Sequence, residues 1–189
     1  MKEKKERILE AALIEFCENG ISKTKVSNIA ERAGVGHGTV FNYFNSKDDL
    51  AKELYIYCKE NFINSLKKNV GQQMDYREKL RTVYFNILKY FRGNPDQYKY
   101  FNLASILNQV DEETKEKGYA IMLDEFGVFV REGIEKGVIK KMDEKYLLSL
   151  FYKMASANVE YIGSYPEKNN PDFIEKTFDL MIDTIFIKK

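Results

Sequence analysis

The stretch VSNIAERAGVGHGTVFNYFNSK, residues 26–47, decides how the rest of the chain is read. It parses as two short helices joined by a tight turn. Ile29, Ala33, Val35, Val40 and Phe44 supply apolar contacts on both sides of the turn, and Ala30 is small enough to let the second helix cross closely. Gly34 falls where the first helix must stop. A left-handed residue there costs glycine no Cβ clash, and a turn of three to four residues then re-aims the chain. Ala30, Gly34 and Val40 stand four and six residues apart, a spacing that fits a helix-turn-helix and also occurs in ordinary helical hairpins.

The second helix separates those readings. From Gly36 to Ser46 no side chain is charged, yet the outward positions carry His37, Thr39, Asn42 and Tyr43. A merely solvated helix would be studded with Lys and Glu. Short donors and acceptors on an uncharged helix suit base edges and sugar-phosphate. Upstream, Thr24 is expected to cap the first helix, and Lys25, Ser27 and Asn28 border an N-terminus that attracts anions. Lys47 adds a point charge after the second helix. The candidate DNA contacts are therefore Lys25, Ser27, Asn28, Gly36, His37, Gly38, Thr39, Asn42, Tyr43 and Lys47. With no Arg or Lys in 36–46, the commonest guanine contact is missing; Asn42 can bridge adenine, so A·T-weighted contacts are expected.

AGVGHGTVFNYFNSKDDL, residues 33–50, resembles the signature of TetR-like (TetR/AcrR) transcriptional regulators, in which Gly-Thr, an aromatic, Tyr-Phe and Ser-Lys follow the turn in this order. The resemblance covers residues 3–50 well and the remainder only in length and helical rhythm. Gly36 stands where a serine is frequent and His37 where a lysine often sits, which loosens the first turn of the recognition helix or changes the bases it reads. The resemblance implies a dimeric repressor on a palindromic operator, whose helical C-terminal domain binds a small molecule and thereby releases DNA.

Whole-chain composition is neutral on that point. Lys and Arg number 30 against 29 Asp and Glu, a formal net charge of +1, so the total gives no argument for nucleic acid. Residues 1–47 hold only a slight basic excess. Placement matters more than the sum. Cys17 and Cys58 sit in apolar helical patterns and read as buried small hydrophobes. One histidine and two cysteines offer no metal cluster, and neither a metal nor a cofactor is expected. No apolar run approaches the ~18 residues needed to span a bilayer, which points to the cytoplasm. Absence of HExxH, GxSxG or a phosphate-binding glycine loop argues against an enzyme.

In chain order, the apolar period predicts a first helix over 3–19, with Ile8, Leu9, Ala12, Leu13, Phe16 and Cys17 inward and Glu15 on a solvated side. Ser46 to Asp49 opens a long helix reaching about Val70. Further helices are expected over 75–92, from Pro95 with Tyr98, Phe101, Leu103, Ala104 and Leu107 apolar, over 111–136, from an Asp143 cap to Ile162, and from Asn170-Pro171 onward. Gly118, Gly127 and Gly133 weaken the fifth of these at ~1 kcal/mol each against alanine. The fold class is all-α. Residues 1–47 form a three-helix DNA-binding domain and 48–189 a six-helix effector-binding and dimerisation bundle.

Aromatics and methionines at helical spacing are core first, but bundles also bind ligands between helices. Tyr55, Phe62, Tyr84, Phe101, Met122, Phe126 and Met154 are the candidate ligand set, for an apolar or aromatic effector. The last helix is apolar on more than one stripe, so a second copy is expected against Leu147, Phe151, Met154, Phe178, Met181 and Ile185. A bundle with no cavity would instead fit a DNA-binding architectural or regulatory protein lacking any effector.

Overall fold

The computed structural model describes residues 2–106 and 110–187. In this range the helices are α1 (Lys2–Asn19), α2 (Val26–Ala33), α3 (His37–Phe41), α4 (Lys47–Leu66), α5 (Tyr76–Gly93), α6 (Pro95–Ile106), α7 (Glu112–Glu135), α8 (Glu144–Ser164) and α9 (Pro171–Ile185), with a 3-10 turn at Pro166–Lys168. Among the described residues the only β pairing is an isolated bridge between Ile139 and Phe186. The expected all-α class is the observed one. Met1, Leu107 and the side chains of Leu103 and Ala104 lie outside the described residues.

Packing divides the chain into two compact units, Met1–Asn61 with Asn94–Gly118, and Phe62–Gly93 with Tyr119–Lys189. This differs from a division at 47/48, because helical periodicity says which face is apolar and not which partner covers it.

In the first unit α1 packs on α2 and on α6, and α2 on α3. Ile8, Ala12 and Phe16 of α1 are fully buried, and the Phe16 ring stacks on Tyr100 at 6.3 Å. The Tyr100 hydroxyl, also buried, donates to the carbonyl of Ala51 at 2.7 Å. Cys17 donates through its sulfur to the Asp96 carbonyl at 3.2 Å. Two expectations change here. Glu15 is buried, since Arg32 from α2 reaches over to pair with it at 2.7 Å. Thr24 does not cap α2: it is buried, and its hydroxyl lies 2.8 Å from the Gly20 carbonyl and 3.1 Å from that of Glu15. The N-cap residue is Lys25, with no side-chain cap bond.

In the second unit α5 packs on α8 and α9 around Tyr84, Ile87, Phe91, Phe151, Phe178 and Met181. Tyr84 meets Phe178 at 5.6 Å and shares a 2.7 Å hydrogen bond with Thr177, so its polar end is satisfied inside the core. Asp143 and Asn170 cap α8 and α9, accepting from Tyr146 N at 2.8 Å and Phe173 N at 3.0 Å, as their positions before each apolar run required. Asp75 and Glu78 form a reciprocal pair at the start of α5, each carboxylate accepting the other's backbone N–H. Asn86 donates to the carbonyls of Leu66 and Lys68 at 2.9 and 2.7 Å, and α4 ends there rather than near Val70. Asn69 then turns the chain with φ 60°.

Candidate functional site

The turn between α2 and α3 is fixed from three sides. Gly34 adopts φ 63°, ψ 42°, and its N–H donates to Glu31 while that of Val35 donates to Ala30 at 3.0 Å, closing the end of α2. Arg7 of α1 donates to the carbonyl of Ala33 and, at 3.4 Å, to that of Gly34. A Cβ on Gly34 would stand 2.8 Å from that guanidinium. Below the turn, Ile29, Ala30, Ala33, Val40 and Phe44 are all buried, which locks the crossing of the two helices.

The candidate residues fall into two groups around this frame. Lys25, Ser27, Asn28, Gly36, His37, Gly38 and Asn42 are exposed, and Thr39, Tyr43 and Lys47 half-buried. The helix after the turn, α3, covers only His37–Phe41. Asn42 is its C-cap residue, with φ −72° and ψ −19°, so it stands at the end of α3 rather than along it. Lys47 is engaged: its ammonium donates to the carbonyls of Ser22 at 2.8 Å and Thr24 at 3.1 Å, bracing the loop before α2. Ser46 accepts from Asp49 N at 3.0 Å, and the Asp49 carboxylate accepts from Asn45 N at 2.9 Å, so the predicted capping motif starts α4. Lys5 of α1 pairs with Glu53 and lies 5.5 Å over the Phe44 ring.

Sequence reasoning missed Phe41. It is 45% exposed on α3, and its ring meets that of His37 edge-on, at 5.2 Å and 63°. The signal was present, since residues four apart on a helix share a face.

The ligand candidates separate. Phe62, Met122 and Phe126 line an apolar cavity of about 50 Å³ in the second unit, with Leu66, Leu147 and Phe151 among its other walls. A cleft of about 300 Å³ shares Leu80, Val83, Phe126 and Phe129 with it and adds Lys67, Lys79 and Glu125. Lys67 pairs with Glu125 at 2.9 Å. Tyr84 is enclosed by Phe178, and Tyr55 packs in the first unit on Phe101 at 5.9 Å. Met154, half-buried, does not line the cavity.

The set expected to face a second copy is mostly enclosed within one chain. Leu147, Phe151, Phe178, Met181 and Ile185 are all buried within the chain, where they fill the core against α5 and α8, and Met154 is half-buried. Side chains already enclosed offer no open face. Exposed apolar positions nearby include Leu180, at 69%, with Tyr146, Tyr161 and Tyr165.

Among the described residues no helix is long and apolar enough to cross a membrane. Residues 8–54 match the family model for bacterial regulatory proteins of the tetR family, and residues 55–185 that for the tetracyclin repressor-like C-terminal domain. A fatty acid metabolism regulator protein of Bacillus subtilis is 31% identical over 154 residues, 75% of each chain. The crystal structure of a TetR family transcription regulator from Shewanella sp. PV-4 superposes with a TM-score of 0.91 at 24% identity, covering 98% of this chain and 99% of that one. The FadR regulator of Bacillus subtilis, in complex with stearoyl-CoA, superposes with a TM-score of 0.74 at 24% identity, covering 93% and 96%.

Proposed function

The chain belongs to the TetR family of bacterial regulatory proteins, and from that membership we propose a cytoplasmic repressor that binds a palindromic operator as a homodimer and is released by a small, largely apolar effector. The observation that carries this reading is the uncharged, solvent-facing surface of His37, Gly38, Phe41 and Asn42 on a turn clamped by Arg7 and Gly34. Residues 1–47 serve as the DNA-binding domain and 48–189 as the effector-binding and dimerisation domain. Lys25, Ser27, Thr39 and Tyr43 act on phosphate and sugar, while His37 and Asn42 reach base edges. A dimer places its two recognition helices roughly 34–36 Å apart, one turn of duplex.

The effector reading rests on the cleft and the cavity behind its shared wall. Lys67 and Lys79 stand at the cleft while Leu80, Val83, Phe126 and Phe129 form its apolar side. That lining suits a molecule with an apolar tail and an anionic end, the chemistry of the stearoyl-CoA held by the Bacillus subtilis FadR. Release then requires the effector to bind the DNA-free arrangement more tightly than the bound one. The volume of about 50 Å³ favours a second reading, a DNA-binding regulator without an effector, because ligand pockets run to about 300–1,000 Å³.

Selection of duplexes from a random pool, followed by footprinting and light scattering, tests the DNA arm. Palindromic protection by a dimer is expected, and a monomer without a preferred sequence rejects it. Adding stearoyl-CoA to the complex separates the two effector readings: a fall in operator affinity supports release, and an unchanged affinity with no binding supports the effector-free regulator.

A further inference from the structure

Among the described residues of the first unit, Phe41 is the only large apolar side chain that stands well exposed. It follows the buried Val40 on α3, beside exposed positions that are otherwise polar or glycine. Its ring is held edge-on against His37 at 5.2 Å, so the two rings form one small platform. Its neighbours on the segment are small or exposed: Gly36, His37, Gly38 and Asn42 all face solvent, and even a Cβ built at Gly38 would meet nothing within 4 Å. The ring pair therefore stands on an uncharged, solvent-facing segment, residues 36–42.

Base edges in the major groove are mostly hydrogen-bonding groups, and the one apolar feature among them is the C5 methyl of thymine. An aromatic ring pressed on an amino group or a carbonyl oxygen would strip it of water and return no hydrogen bond. The same ring on a methyl loses nothing and removes apolar area of both partners from water. Resting on the DNA-binding reading above, we propose that Phe41, steadied by His37, is a specificity-determining residue that reads the methyl group of a thymine in each half of the operator. Toward that methyl His37 is a positioning residue, its ring steadying Phe41, in addition to any base edge it meets itself.

The test uses the full-length protein and a duplex recovered by selection from a random pool. Each thymine of the half-site is replaced in turn by deoxyuridine, which deletes the methyl and leaves every hydrogen-bonding group in place. One thymine per half-site is expected to show a loss of about fourfold in affinity, the effect of one buried methyl-sized group. In Phe41→Ala that loss disappears, because the variant no longer distinguishes thymine from deoxyuridine, and in Phe41→Leu it is retained in part. Phe41 is largely outside the core, and circular dichroism of each variant checks that the fold is kept. Wild-type affinity indifferent to deoxyuridine at every position, or a penalty that persists unchanged in Phe41→Ala, overturns the proposal while leaving DNA binding intact. Failure to select any duplex overturns both this proposal and the reading beneath it.

Discussion

Arg32 on α2 donates from Nε to Glu15 of α1 at 2.7 Å, and from Nη2 to Glu18 at the same distance, so one guanidinium neutralises a carboxylate that is only 5% exposed. The pair fastens α1 to the first helix of the helix-turn-helix. Thr24, whose hydroxyl is also near the Glu15 carbonyl, closes the same corner.

The asymmetry of that pair gives the first prediction. Arg32→Ala leaves the Glu15 charge enclosed without its partner, whereas Glu15→Gln removes the charge itself. Thermal unfolding should therefore rank Arg32→Ala below Glu15→Gln, with a melting temperature several degrees under that of the wild type. An Arg32→Ala variant as stable as the wild type would show the pair to be inert.

Three glycines of α7 look alike in sequence and differ in space. At Gly118 an added Cβ would stand 2.9 Å from the buried Tyr55 ring, and at Gly133 it would stand 2.5 Å from the buried Ile139 side chain. At Gly127 it meets only the ends of Arg131 and Glu144, 3.3 Å away on flexible, solvent-reaching side chains. Gly127→Ala should stabilise by up to about 1 kcal/mol, the helix-propensity gain. Gly118→Ala and Gly133→Ala should destabilise by about 1–2 kcal/mol, since overpacking costs about 1–3 kcal/mol against that gain. Urea unfolding midpoints at constant slope check all three.

Burial pushes the Cys17 thiol up to about 11 and the Cys58 thiol up to about 12, so neither is appreciably a thiolate at pH 8. A thiol-reactive chromophore at that pH should label neither cysteine in the folded protein and both in denaturant. Rapid labelling of native protein would contradict this packing.

Asp111 caps α7, accepting from Thr114 N at 2.9 Å and pairing with Lys52 at 2.5 Å. The hydrogen bond from Lys52, then those with Thr114, holds its carboxyl well below the usual carboxylate range. Because the folded value is the lower one, the stabilisation is present above the unfolded value of about 3.9 and is lost as pH falls below it. Asp111→Asn keeps a capping oxygen but removes the titration. Its melting temperature should drop less than the wild type's between pH 5 and pH 3, by a small margin because the pair is solvent-exposed. Parallel profiles would exclude a contribution from this group.

Local signals were legible because their causes are local. Gly34 was read as a left-handed stop from the steric freedom of glycine, and it has φ 63°. Asp143, Asn170 and Ser46 were read as caps from their place just before an apolar run, and each accepts the backbone N–H three residues on. The candidate DNA face was legible for the same reason, since a run without charge needs no partner to be noticed.

Burial of a polar group, by contrast, depends on a partner elsewhere in the chain. Glu15 left the surface because Arg32, seventeen residues on, met it, and α4 stopped early because Asn86, twenty residues past Leu66, took its last carbonyls. Of the expected ligand set only Phe62, Met122 and Phe126 line the cavity, and most of the expected dimer set is enclosed within the chain. Periodicity marks Phe178, Met181 and Ile185 as one stripe, and only packing reveals that the stripe is already covered while Leu180 is not. By itself the sequence determined the helices, their ends and the uncharged segment after Gly34, because φ preference, capping and apolar period act within a few residues. Tertiary structure alone decided which apolar faces are enclosed, how three glycines of one helix meet three different surroundings, and that Phe41 stands in the open, because each of those depends on what the rest of the chain brings alongside.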